Sequence, residues 1–468
     1  MKKVAIIGAG ITGLSAAYYL SKGGASVDVF ERSDRLGGKI KTYRKDEFVI
    51  ELGPESYISR KPALTELAVE IGMEDNLVRN ETGQAYIYTK NSLSKVPKGT
   101  MLGVPTTLSS IMNTDLITSV GKLRSMMDYI LPRVKVNTDI SAGEFFQKRL
   151  GKDVKENMIE PLLSGVYSTD IDEMSLMSTY PFFKEQEEQY GSLIKGMLAR
   201  KEATAKNQTP EDNKDKKKGL FYQFRGGLES FIERLAFSAK SEGAIIHTNA
   251  KVEDILKIDD GYLVTVDEKV EKFDAVIVAT MHQSYKHLID IPELEYFKHM
   301  KATTVANIVM AFDENQVANN LDGTGFVISR NAGTSITACT WTNKKWTHST
   351  PKGKALLRAY IGKPNDKELD DLIVNGTDEE ILAEARKDLD KIMNIEGGPE
   401  FFIVTRMPQA APNYLVGHKE IIENIHVELE KNYPELYFIG APHYAVGLPD
   451  CVVTAKETAE KILENINN

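Results

Sequence analysis

VAIIGAGITGLSAAYYLSKGGASVDVFER, residues 4–32, decides the fold. Val4 to Ile7 is an apolar run that reads as a short buried strand. Residues 12–22, rich in small side chains, read as a helix, and Val27 to Phe30 alternates into a second strand. Between them lies Gly8-Ala9-Gly10-Ile11-Thr12-Gly13. Gly8 permits a tight turn. Gly10 lets a phosphate approach the backbone with no Cβ in the way, and Gly13 lets helix and strand pack closely. The helix start offers unbonded N–H groups and the positive end of its dipole to an anion. Glu31 closes the second strand 18 residues after Gly13. There a carboxylate accepts both hydroxyls of a ribose and repels a 2′-phosphate. A lone glycine turn arises often by chance. Strand, turn, helix and carboxylate in this register predict a dinucleotide-binding βαβ unit.

The same segment has a competing reading. Met1-Lys2-Lys3 before a charge-free run to Leu20 imitates a secretory signal. Its glycines argue otherwise, since they weaken a signal helix but fall where a phosphate turn needs them. The chain has 468 residues, room for about three domains. Its formal charge of -9 disfavours a nucleic-acid binder, which needs a concentrated positive face. Cys339 and Cys451 are the only cysteines, with no CxxC, so neither a disulfide framework nor a metal site is expected. His282 and His287 lie off one helical face and do not make a metal pair. A cytoplasmic location follows from the cysteine usage, and no run of about 20 apolar residues predicts a membrane span.

Downstream, Leu64 to Met73 patterns as a helix, and Ala85 to Lys95 as strands around a polar turn. Residues 98–200 carry apolar positions at helical spacing in Leu116–Ile130, Ala142–Leu150 and Val154–Leu163, the pattern of a helical domain. Lysine-rich 201–219 reads as a flexible loop. Beyond it come a helix (Leu228–Ser241), a strand (Ala244–His247), a hairpin (Val252–Leu256 with Tyr262–Val266) and a buried strand (Phe273–Ala279). Thr304–Ala311 and Ala355–Ile361 read as strands and Asp378–Ile392 as a helix. A strand (Leu436–Gly440), a loop and a helix (Thr454–Glu464) close the chain. The fold class is α/β (α+β overall). A Rossmann-like domain draws on 1–62, 220–281 and 405–468, and a mixed-sheet substrate domain on 63–97 and 282–404.

Two further strings separate FAD from NAD. ERSDRLGGKI (31–40) resembles the second signature of amine-oxidase-type flavoproteins. LYFIGAPHYAVGLPDCVVTAKETAEKI (436–462) is similar to their last FAD-binding segment. The resemblance implies noncovalent FAD, with Gly38 turning past the phosphates and Arg32 or Lys39 contacting them. It also implies Gly53, Pro54, Glu55 and Ser56 beside the isoalloxazine, and Val252 against the adenine. Gly447, Leu448, Cys451, Val452, Val453 and Thr454 complete the implied contacts, together with Met407.

Over essentially the whole chain the resemblance is to the protoporphyrinogen/coproporphyrinogen oxidase family. It is carried by GPESYISRKPAL (53–64), VPKGTMLGVP (96–105), MIEPLLSGVYSTDIDEMSL (158–176), QFRGGLESF (223–231) and MPQAAPNYLVGH (407–418). EPLLSGVY is the most specific string. The resemblance implies six-electron oxidation of coproporphyrinogen III in haem biosynthesis, with O2 as acceptor and H2O2 as product. Protoporphyrinogen IX is the alternative substrate. Another flavin amine oxidase or desaturase is a further enzyme reading, and a dinucleotide-binding regulator the non-enzymatic one. Two extra propionates ask for cations. Arg60, Lys61, Lys344 and Lys345 are the candidates, weighed against ordinary solvated surface pairs, and Ser168 and Thr169 join them as substrate-facing positions. Aromatisation drives the chemistry, so no catalytic base is assigned. The resemblance also allows a transient contact with the next haem-pathway enzyme and at most a peripheral contact with a membrane.

Overall fold

The computed structural model describes residues 2–206, 219–318 and 321–467. Packing divides the chain into two units. The first comprises 1–79, 220–300 and 421–468, the second 80–219 and 301–420.

The first unit is built on five parallel strands. β1 (Lys3–Ile7) and β2 (Ser26–Phe30) flank α1 (Ile11–Lys22) in sequence. Distant segments supply α2 (Leu228–Ser241), β3 (Ile245–His247), β4 (Ala275–Val278), β5 (Leu436–Phe438) and α3 (Leu448–Asn467). The sheet order is β3-β2-β1-β4-β5. Val4, Ala5 and Ile6 are wholly buried, as a central parallel strand covered on both faces requires. α1 packs against α2 and α3, and its small residues let the backbones close in. A Cβ on Gly23 would lie 2.2 Å from Leu463 Cδ1. The expected hairpin is present as Val252–Ile258 and Gly261–Val266, paired antiparallel. α3 begins at Leu448, six residues before the expected Thr454. Pro449 falls in its first turn, where a missing N–H costs no hydrogen bond. The supposed loop is therefore helix, and Cys451 to Thr454 ride on it.

The second unit contains a seven-stranded sheet. Its order is Phe401–Pro412, Ala302–Asp313, Lys354–Ile361, Ile336–Trp341, Gly325–Ile328, Tyr86–Thr89, Ser92–Lys95. Helices Lys367–Asn375 and Asp378–Ile392 pack on its core. A second core gathers Ile111, Phe145, Phe146, Leu163 and Phe183 from the helical stretch. The expected helix Val154–Leu163 is a composite, with a π-turn at Lys155–Ile159 before Glu160–Tyr167. Pro161 forces that division, because it must sit in a first turn. Residues 201–206, expected to open the loop, instead continue helix Leu193–Lys206. The rest of that loop, at 207–218, lies outside the described residues. Arg149 is wholly buried and holds Asp128 Oδ1 at 2.6 Å and Glu187 Oε1 at 3.4 Å. Lys184 holds the other oxygen of Glu187 at 2.7 Å. Among the described residues, no helix is long and apolar enough to cross a membrane.

Candidate functional site: a dinucleotide cradle at the strand ends of the parallel sheet

The strand ends of the parallel sheet carry the first unit's candidate residues. Gly8 has φ +101°, open to glycine alone at low cost, and its N–H donates to the Phe30 carbonyl at 2.8 Å. A Cβ on Gly13 would lie 1.9 Å from the Gly8 carbonyl oxygen, so α1 can approach the turn only with glycine there. Gly10 differs from both. It caps α1 at φ -73°, and nothing lies within 4 Å of where its Cβ would be. Here the absent side chain leaves space in front of the first N–H groups of α1, which lack intrahelical partners. Ala9, Ile11 and Thr12 are buried beside it.

Glu31 faces this turn. Its Oε2 accepts the Ala9 N–H at 3.0 Å, and Oε1 accepts the Ser33 N–H at 2.9 Å and hydroxyl at 2.8 Å. The carboxylate is thereby fixed in orientation, with lone pairs left for further donors. Gly37 donates to the Ala9 carbonyl at 2.8 Å, which docks the second glycine turn on the first. A Cβ on Gly38 would meet only Gly10 Cα, at 3.5 Å. Arg35 locks the turn by donating to the carbonyls of Leu36, Gly38 and Ile40. Gly53 packs on the same turn, its hypothetical Cβ 1.7 Å from the Lys39 carbonyl oxygen.

Lys39 is solvent-accessible, yet the protein crowded around it lowers its ammonium to about 8 through desolvation. The side chain thus stands in a recess and remains a cation at neutral pH. Arg32 is exposed, and Pro54, Glu55 and Ser56 are half-buried. Val252 is buried at the head of its hairpin.

The C-terminal segment reaches the same turn. A Cβ on Gly440 would lie 3.4 Å from Thr12 Oγ1. Gly447 and Leu448 lead into α3, and the Cys451 N–H donates to the Gly447 carbonyl at 3.1 Å. Burial pushes the Cys451 thiol up to about 11, so it is a neutral donor, 3.3 Å from the Ala445 carbonyl. Val452 is buried, Val453 is exposed, and the Thr454 hydroxyl donates to the Asp450 carbonyl at 3.2 Å.

The remaining candidates are placed less uniformly. Arg60 is exposed, and Lys61 pairs with Asp450 at 2.7 Å. The others belong to the second unit. Met407 is half-buried opposite Val305 in the long strand. Ser168 ends its helix at φ +50°, and its carbonyl accepts the Thr303 hydroxyl at 2.6 Å. Thr169 is buried and accepts from Asn413 Nδ2 at 2.7 Å. Lys344 donates to the Leu321 carbonyl at 2.9 Å beside the Trp341 ring, while Lys345 lies over Trp346. Close by in sequence, Arg330 holds Glu160 at 2.5 Å and Asp170 at 2.6 Å. Sequence reasoning missed this bridge, along with the Arg35 lock and the buried Glu51, which accepts the Leu228 N–H that opens α2 at 2.6 Å.

Glycines that clear space before a helix N-terminus, a carboxylate oriented at the next strand end and a second glycine turn docked on the first fit a dinucleotide pyrophosphate and ribose. They define a dinucleotide-binding protein of the Rossmann type. The model of the flavin-containing amine oxidoreductase family matches residues 11–463, and the chain belongs to that family. It is an FAD enzyme. It is 48% identical to the coproporphyrinogen III oxidase of Staphylococcus aureus, over 99% of this chain and 100% of the relative. It is 41% identical to that of Bacillus subtilis, over 99% and 98% respectively. A solved structure from Exiguobacterium sp. 255-15 superposes with a TM-score of 0.86 at 37% identity, covering 99% of both chains.

Proposed function

We propose that this protein oxidises coproporphyrinogen III to coproporphyrin III in haem biosynthesis. The observation that carries this reading is the full-length identity of 48% to a protein of that name. The ring loses six hydrogens in three two-electron steps, and three O2 become three H2O2. Bound FAD supplies hydride acceptance and the return of electrons to oxygen. The chain's own residues hold and orient. Gly10, Gly38 and the start of α1 receive the pyrophosphate, and Glu31 accepts the ribose hydroxyls. Lys39 sets a cation beside them, with Arg32 at the rim. Gly53 to Ser56, Val252, Met407 and the Gly447–Thr454 segment form the remaining cofactor contacts.

By role, the cofactor part comprises 1–62, 220–281 and 405–468, the substrate part 63–97 and 282–404, and the helical part 98–200. Arg60, Lys61, Lys344 and Lys345 are the proposed propionate contacts, with Ser168 and Thr169 near the substrate. Burial lowers the Lys344 ammonium, which favours a site that gains an anion. The protein is proposed to act in the cytoplasm, with contact to the next enzyme of the pathway transient and to a membrane at most peripheral. Protoporphyrinogen IX is the second reading, favoured by a chloroplast relative of that activity from Nicotiana tabacum at 29% identity. Side-by-side rates decide between them. Faster porphyrin formation from coproporphyrinogen III supports the proposal, and faster formation from protoporphyrinogen IX overturns it.

A further inference from the structure

The segment at 440–447 carries the chain from β5 into α3, and both of its ends touch elements of the cofactor cradle. Gly440, at φ +100°, packs on the first turn of α1, its Cβ position 3.4 Å from Thr12 Oγ1. Ala445 is wholly buried, and its carbonyl receives the Cys451 thiol of α3 at 3.3 Å. Between them stands His443, 1% exposed. Buried polar atoms need partners, and both ring nitrogens of His443 have one. Nε2 lies 3.1 Å from the Tyr285 hydroxyl. Nδ1 lies 3.0 Å from Nε2 of the half-buried His426, on helix His418–Asn432. Three rings from three separate stretches of chain form one hydrogen-bonded line.

Proton counting fixes its polarity. A neutral imidazole holds one N–H and one lone pair. Burial keeps the Tyr285 phenol protonated. His443 Nε2 is nearer to that phenol than its other acceptor, the Thr280 carbonyl at 3.5 Å. Tyr285 therefore donates to Nε2, His443 donates from Nδ1, and His426 accepts. A proton added to His426 turns this acceptor into a donor facing another donor. The line then reforms only if His443 moves its proton to Nε2 and Tyr285 turns to Thr280, at the outer limit of hydrogen-bond distance. Around the line, Phe297 packs on His443 and Tyr444 stands edge-on to His426. Lys461 acts on His426 from α3 and is paired with Glu430, while Glu423 acts on Tyr444. Burial first, and the Lys461 ammonium second, lower the His426 pKa below the usual 6.5, so the line is neutral at pH 7.

We propose that His443 is a positioning residue for FAD: through Tyr285 and His426 it holds the segment that joins α1 to α3, and protonation at the His426 end loosens the protein's hold on the cofactor. FAD favours the neutral line, so the holoenzyme binds that proton less tightly than the FAD-free protein, and affinity falls as pH falls. The proposal rests on the reading that residues 447–454 contact FAD, and not on the identity of the substrate. FAD titration of the FAD-free protein between pH 8 and pH 5 tests it, with thermal unfolding alongside. In the parent the Kd rises about tenfold toward pH 5, the effect of one hydrogen bond. His426→Gln retains an acceptor that does not titrate, so its Kd matches the parent at pH 8 and lacks the acid step. His443→Phe keeps the ring volume and loses both bonds, so its Kd is raised about tenfold at pH 8 and also lacks the step. Lys461→Gln, on the surface, moves the step to higher pH by removing the ammonium that lowers His426. Parallel profiles in parent and His426→Gln overturn the proposal, as does an unmoved step in Lys461→Gln. A parent-like Kd in His443→Phe with a lowered unfolding temperature makes His443 structural alone and overturns it too. Val453→Asp, within the 447–454 contacts themselves, separates the two failures. Its Kd rises when those contacts are real, whereas an unchanged Kd there overturns the contact reading and the proposal together.

Discussion

Gly10→Ala separates a glycine kept for a ligand from a glycine kept for the fold. At φ -73° and ψ 179° the backbone is extended, a conformation alanine adopts without strain, and no atom lies within 4 Å of the new methyl. Two small terms remain in the protein itself. Alanine lowers unfolded-chain entropy, worth about 0.4–1 kcal/mol in favour of folding, and is a poorer helix cap than glycine by about the same amount. They offset, so stability without cofactor moves by less than about 1 kcal/mol. Binding is different. A methyl where a phosphate oxygen must reach the first N–H groups of α1 weakens charge-assisted bonds worth about 1.5–3 kcal/mol each. Losing two costs about 3 kcal/mol or more, at least a hundredfold in Kd. The assay pairs thermal unfolding without FAD against the flavin-to-protein absorbance ratio and FAD titration. Gly13→Ala is the contrast: its Cβ would lie 1.9 Å from the Gly8 oxygen, so it destabilises the protein even without FAD. Gly10→Ala protein that folds and binds FAD as the parent does refutes the cradle.

Glu31→Ala leaves the Ala9 and Ser33 donors without their acceptor and removes the ribose contact, lowering flavin content as purified; unchanged occupancy contradicts the ribose role. Arg149→Met leaves Asp128 a buried charge without its cation, while Glu187 keeps Lys184, and costs about 3–5 kcal/mol by denaturant unfolding; a loss under 1 kcal/mol shows that the network is dispensable. Burial, with Asp170 and Asp172 nearby, raises the Glu160 carboxyl to about 7 against the lowering by Arg330. A raised carboxyl binds its proton more tightly folded than unfolded. Its contribution is complete below about 4.5 and lost as pH rises through 7. Glu160→Gln therefore gains unfolding temperature relative to the parent across that window, and a constant difference from pH 4 to 8 refutes the assignment. Arg60→Ala raises KM for coproporphyrinogen about tenfold, the loss of one charged contact, and KM for protoporphyrinogen less; equal effects remove Arg60 from propionate recognition.

The cofactor half was legible because its chemistry is local. Gly8, Gly10, Gly13 and Glu31 lie within one βαβ unit, where spacing alone fixes position. Other features depend on which distant residues meet, and periodicity reports a buried face without naming its partner. Lys61 reads as a free surface cation, and only the folded chain supplies Asp450. Arg149, Asp128 and Glu187 sit on separate helical segments, so their network leaves no trace in any one pattern. Arg35 stands just before the second glycine turn and gathers the carbonyls of Leu36, Gly38 and Ile40, a local signal that could have been read. The spacing of His282 and His287 excludes a metal pair, and the burial of His282 against the Met300 carbonyl is visible only in three dimensions. Pro449, at a position where proline opens a helix, marks the early start of α3 and was a local signal left unused.

Porphyrin and peroxide formed together from coproporphyrinogen III test the central claim most directly. Flavin-loaded protein in air should raise porphyrin fluorescence well above autoxidation, with three H2O2 for each coproporphyrin released. Fluorescence no faster than autoxidation, from protein carrying its full complement of FAD, would contradict it.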